Sequence, residues 1–192
     1  MILESPLSIN SLSELLCVSK GLIHSRLSSL HSVIRVPGDE STPIRLFLLS
    51  FRDFLLDPET RKKSPLGVNK TETHEMLIRH CLSVFQSLKR DICSLPSEGT
   101  ERVEVDRHTI DTYIPLELQY ACRYWTHHLV QCAEPARMEH DTLSFLRKHF
   151  LHWVEAMGLL GFTSEILGMH TRLQGATWVS CHRCHVLCIL IA

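Results

Sequence analysis

The sequence predicts a mainly α-helical chain: an N-terminal winged helix, that is, a helix-turn-helix plus a short β-hairpin, followed by a helical bundle. Three observations carry this expectation. Two short helix signals lie almost in contact before residue 30. A β-rich stretch, Val33-Ile34-Arg35-Val36, is joined by the turn Pro37-Gly38-Asp39-Glu40 to the apolar run Ile44 to Leu49. Beyond residue 70, apolar residues recur at helical spacing in long stripes with no strand signal between them.

The first helix is expected to start at Ser11-Leu12-Ser13-Glu14, a capping box in which the Ser11 hydroxyl takes a first-turn N–H and Glu14 reaches back to the cap. It should run to about Val18. Ser19 then caps a second helix, where Leu22, Ile23, Leu27 and Leu30 share one face. After the hairpin, Ser50 is placed to cap a further turn with Phe51, Phe54 and Leu55 on one side, which Asp57-Pro58 stops. Residues 1–57 are therefore expected to form a winged-helix-like domain. Residues 58–70, rich in Pro, Lys and turn formers, are expected to be a linker.

Residues 71–174 are expected to be a helical domain. Leu77, Cys81, Val84 and Leu88 trace one helix face ending near Cys93. Residues 94–113 have Pro96, Gly99 and many charges without a period, and are expected to be an irregular loop. Pro115 suits a helix first turn, and Leu118, Cys122, Trp125 and Leu129 repeat the eleven-residue stripe. A longer helix starts at Asp141 or Thr142, with Leu146, Phe150, Trp153, Met157 and Leu160 on one face before Gly161. A last short helix covers Ser164 to Leu173. Comparable stripes on successive helices call for helices packed on helices.

The chain has 192 residues, a formal net charge of −1, 44% hydrophobic and 21% charged residues, which is enough apolar side chain for a core and no field for nucleic acid. No basic n-region precedes an apolar segment at the N-terminus, and the longest apolar run, Val186 to Ala192, falls far short of the roughly 20 residues that span a bilayer. A cytoplasmic chain with no membrane partner is expected, with its eight cysteines reduced and mostly serving as small buried hydrophobes.

The common signatures of chemistry are missing. None of the eight glycines is followed by lysine, so the Gly-Lys-Ser/Thr signature of a phosphate-binding loop is absent. G-x-G-x-x-G, G-x-S-x-G and H-E-x-x-H do not occur either. The chain is expected not to be an enzyme, with no catalytic, cofactor-binding or metal-ligating residue. Cys181-His182-Arg183-Cys184-His185 spells the haem-attachment pattern and with Cys188 could hold zinc, but all its ligands crowd into eight residues, where a structural zinc site uses two separated pairs. His127-His128 with Cys132, and His149 with His152, have spacings open to a shared metal; the simpler account is polar-edge histidines beside an apolar stripe. A winged helix also invites DNA, for which the second helix offers Lys20, His24, Arg26 and His31. Two formal charges neutralise few phosphates, so no nucleic-acid partner is expected.

Four segments carry a family resemblance by their order: Pro6-Leu7-Ser8, Leu30-His31-Ser32-Val33-Ile34, Ser50-Phe51-Arg52-Asp53-Phe54-Leu55-Leu56-Asp57 and Glu117-Leu118-Gln119-Tyr120-Ala121-Cys122-Arg123-Tyr124-Trp125. His149-Phe150-Leu151-His152-Trp153-Val154-Glu155-Ala156 continues it. The chain resembles fungal NACHT proteins, specifically the region C-terminal to the NTPase core of NLR-like STAND proteins, of heterokaryon-incompatibility type, which carry WD, ankyrin or TPR repeats. The resemblance covers roughly residues 2–174. It implies that residues 1–57 close over a nucleotide-bound core at rest, that the following helices relay to the sensor repeats, and that ATP or ADP binds the core and not this chain. The implied partners are thus the NTPase and repeat domains of one longer protein. Family members often place a histidine shortly before the Ser-Phe motif, near the nucleotide phosphates, where this sequence has Phe47, Leu48 and Leu49. Residues 175–192 are an unmatched tail, expected to come from an aberrant or degenerate gene.

Overall fold

The computed structural model describes residues 2–64, 67–97 and 100–175, and these form a mainly helical protein with one small antiparallel sheet. The tail cluster Cys181 to Cys188 lies outside the described residues. Helix α1 spans Ile9–Leu16 and α2 spans Lys20–Ser28. Strands β1 (Ile34–Arg35) and β2 (Arg45–Leu46) pair antiparallel, with Ile34 opposite Leu46. Then come α3 (Leu49–Leu56), α4 (Pro58–Lys63), α5 (Lys70–Val84), α6 (Arg107–Tyr113), α7 (Leu116–Gln131), α8 (Glu139–Leu160) and α9 (Thr163–Gly175).

Helix α7 is the hub, because its apolar residues leave almost no side exposed. Leu118, Tyr120, Ala121, Cys122, Trp125, Thr126, His128 and Leu129 are all buried, and α1, α5, α8 and α9 pack around them. The expected stripe of α8 is equally inward, with Leu146, Phe150, Trp153, Met157 and Leu160 buried and Gly161 ending the helix at φ 81°, a left-handed value that glycine adopts without a Cβ clash. At the centre the Phe85 and Phe145 rings stack at 4.4 Å, and Trp125 meets Phe145 and Trp153 edge-on at 5.3 and 5.9 Å. The indole N–H of Trp153 donates to the Cys122 carbonyl at 3.0 Å, joining α8 to α7. At the far end, Arg123 makes a two-pronged contact with Glu165 at 2.9 and 2.7 Å while its guanidinium covers the Phe162 ring at 4.2 Å, which seats α9.

The N-terminal elements join this core through α1. Ile9, Leu12 and Leu15 are buried in the same apolar cluster as Ile78, Cys81 and Trp125. The hairpin is tied to the same region by backbone: Ile44 N–H donates to the Leu7 carbonyl at 3.0 Å and Asn10 N–H to the Glu40 carbonyl at 3.1 Å. The outer elements bury little. Ile23 is the one buried residue of α2, and the one buried residue of α4 is Thr60.

Several boundaries differ from expectation for local reasons. Ser8, not Ser11, caps α1: its hydroxyl accepts the Ser11 N–H at 3.1 Å, one turn before the predicted box. The helix ends at Leu16 because Cys17 turns left-handed at φ 52°. Ser50 lies inside α3, whose cap, Leu48, makes no side-chain bond. Residues 58–63 of the expected linker are α4, started by Pro58 and by the Asp57 carboxylate, which accepts the Thr60 N–H at 2.9 Å. α5 gives way at Phe85 to a single 3₁₀ turn, Phe85–Ser87, well before Cys93. The expected irregular loop 94–113 contains α6, capped by Asp106 and anchored by the fully buried Ile110. α8 begins at Glu139, slightly earlier than expected.

Candidate functional site

Two features stand out once the core is accounted for. One is an apolar groove on the N-terminal elements; the other is a buried histidine cluster where those elements meet the bundle.

The groove encloses about 400 Å³ and is lined by Leu12 and Leu16 of α1, Leu22, Ile23 and Leu27 of α2, and Phe51 and Leu55 of α3, among others. The face predicted on α2 is thus real, but it opens onto a cleft instead of closing on a neighbour. Leu22 stays 46% exposed, and outside the groove lining Phe47, Leu48 and Phe54 of the same N-terminal elements are 60%, 48% and 46% exposed. A row of large apolar side chains left open on one unit is the composition of a contact surface. Of the side chains that made DNA conceivable, Arg26 lines the groove, while His24 and Lys20 both meet the Glu40 carboxylate at 3.1 Å, and these contacts hold that carboxyl below its usual range.

The cluster is built from helix periodicity. On α5, His74 sits one turn before Leu77 and Ile78 and two before Cys81, so the buried stripe carries it inward. On α7, His128 follows Ala121 by two turns and Trp125 by one, and it is fully buried. Adjacent His127 is half-buried, and its Nε2 meets the Glu4 carboxylate at 3.2 Å. The His74 and His128 rings touch Nδ1 to Nδ1 at 2.8 Å, and His128 Nε2 lies 2.8 Å from the Tyr120 hydroxyl. That hydroxyl accepts the Glu4 backbone N–H at 3.3 Å. One proton assignment serves every contact: Tyr120 O–H donates to His128 Nε2, and His128 Nδ1–H donates to His74 Nδ1. The proton of His74 is then on Nε2, a buried atom without a hydrogen-bond partner.

Burial sets the charge state. Desolvation foremost, with the neighbouring His127 and Lys70 adding to it, lowers the His74 pKa to about 4; desolvation, then His74 and His127, lower that of His128 to about 3. Both rings are neutral at physiological pH. Burial likewise raises the Tyr120 phenol, which stays protonated. One nitrogen from each of His74, His127 and His128 falls within 4.8 Å of the other two.

The histidine sets singled out in the sequence are only partly brought together. His127 and His128 do face a common point, but their third neighbour is His74; Cys132 instead donates its thiol to the Leu129 carbonyl at 3.0 Å. His149 donates from Nδ1 to the Leu88 carbonyl at 3.0 Å, a bond that fixes the turn after α5, and His152 is its ring neighbour at 5.7 Å. Sequence reasoning missed His74, Tyr120 and Glu4. His74 was detectable as a polar residue on the Leu77–Cys81 stripe; Glu4, in the segment before α1, gave no signal.

No protein-family model, no curated protein and no solved structure matches the chain.

Proposed function

We propose that the chain is a non-catalytic regulatory connector of a STAND-type NTPase switch, of the kind used in fungal nonself recognition and innate immunity. In this reading α1 to α3 and the hairpin act as the winged helix that packs on the NTPase core, and α5 to α9 relay to sensor repeats. The observation that carries it is the open apolar groove on a unit anchored to the bundle mainly by one helix, α1. A switch element needs two packing arrangements of similar free energy, and a small unit with one well-buried helix and one uncovered apolar face can have them. Where family members approach nucleotide phosphates with a histidine, this chain offers exposed Phe47 and Leu48, so its contribution to the closed state is apolar contact with the core.

The test is the nucleotide sequence of the complete transcript that contains this reading frame. The expected result is an in-frame G-x-x-x-x-G-K-S/T loop upstream of residue 1. A full-length transcript that encodes no such loop would overturn the reading.

A further inference from the structure

We propose that His74, His127 and His128 bind a Zn²⁺ ion at the seam between the N-terminal segment and the helical bundle. This proposal does not depend on the switch reading. Three imidazoles with converging nitrogens are a preferred ligand set for zinc, which takes nitrogen at about 2.0–2.1 Å in tetrahedral geometry, so that ligand nitrogens sit about 3.3 Å apart. The three nitrogens here are spread over at most 4.8 Å, with one pair at 2.8 Å, so modest ring rotations bring them to those positions.

The surroundings supply what such a site needs beyond its ligands. Ligating histidines are normally oriented through their second nitrogen. Tyr120 occupies that place for His128, and the Glu4 carboxylate touches His127. Glu4 also brings negative charge to a pocket where a dication would otherwise face neutral rings and the ammonium of Lys70. Binding replaces the His74–His128 hydrogen bond with two metal bonds. The proton on His128 Nδ1 passes to Nε2, which then donates to Tyr120 Oη, so the rings remain neutral and no proton is lost from the protein. The ion would staple the Glu4 segment to α5 and α7.

The experiment is titration of the chelator-stripped 192-residue chain with Zn²⁺, and with Co²⁺ for its visible spectrum, in four forms: the unaltered sequence, His127→Ala, Glu4→Gln, and a Cys181→Ser/Cys184→Ser/Cys188→Ser variant. His127 and Glu4 are partly exposed, and circular dichroism confirms that their variants fold. The expected result is one ion per chain, a tetrahedral Co²⁺ spectrum without thiolate charge-transfer bands, and a raised Tm. Affinity should fall at least tenfold in His127→Ala and in Glu4→Gln and stay unchanged in the cysteine variant. Binding that is lost in the cysteine variant but kept in His127→Ala would overturn the proposal, as would a chain that retains no Zn²⁺ after dialysis, leaving a hydrogen-bonded histidine pair only.

Discussion

Trp125→Ala is expected to lower the Tm by about 6–20 °C, corresponding to a loss of about 3–5 kcal/mol in a chain of this size. Trp125 is fully buried on α7, with the rings of Phe85, Phe145 and Trp153 around it at centroid distances of 6.3, 5.3 and 5.9 Å. Those rings come from two other segments, Phe85 from the turn after α5 and Phe145 and Trp153 from α8, so none can collapse into the space without leaving its own neighbours. Aromatic edge contacts are lost together with burial, which places this substitution at the costly end. A finer expectation separates the two tryptophans. Trp125 Nε1 has no partner, whereas Trp153 Nε1 donates to the Cys122 carbonyl. Trp153→Phe should therefore destabilise more than Trp125→Phe, by about 1 kcal/mol for the lost bond. Thermal unfolding followed by circular dichroism measures all three variants. A Tm change under about 2 °C for Trp125→Ala would show that α7 is not the centre of the fold.

Acidification of the metal-free protein from pH 7 to pH 5 is expected to cost on the order of 2–4 kcal/mol. The sign follows from the depressed values. His74 and His128 titrate near 4 and 3 in the folded chain, against the ordinary 6.5 once unfolded. Below pH 6.5 the unfolded chain takes up two protons that the folded one refuses, so stability is complete above 6.5 and drains away as the pH falls toward the folded values. Lys70 and His127 face these rings with like charge and deepen the effect, while Glu4 on His127 opposes it. Urea unfolding at pH 7, 6 and 5 measures the slope. A His74→Gln/His128→Gln variant should show a flatter profile over the same window. An equal slope in both proteins would place the acid sensitivity elsewhere.

How much of this was legible in the sequence depends on how many turns repeat the signal. α7 and α8 were readable because four or five large apolar residues fall on one face, and the structure buries every one of them. α4 and α6 were not, since each is less than two turns long and buries one residue, Thr60 or Ile110. Their local signs were the capping aspartates, Asp57 and Asp106, and Pro58 in the first turn of α4. The α2 face was correctly read as a stripe, yet Leu22 and Leu27 line a groove, because periodicity reports that a face is apolar and not what covers it. The histidine cluster was half visible. His127-His128 stood out as a pair, while its partners His74 and Glu4 lie more than fifty residues away in sequence and reach it only through the packing of α5 and the N-terminal segment on α7.

The N-terminal unit is expected to behave as a separable element docked on a firmer bundle. Its energetic basis is the contrast between α2, with Ile23 as its one buried residue, and α7, with eight. Native-state hydrogen exchange resolved by residue measures this directly. Amides of α2 and β1–β2 should exchange through an opening of lower free energy than those of α5, α7 and α8, which should exchange together near the global unfolding value. If α2 and the hairpin instead exchanged with the bundle helices as one cooperative unit, the chain would be a single rigid block and could not serve as the moving part of a switch.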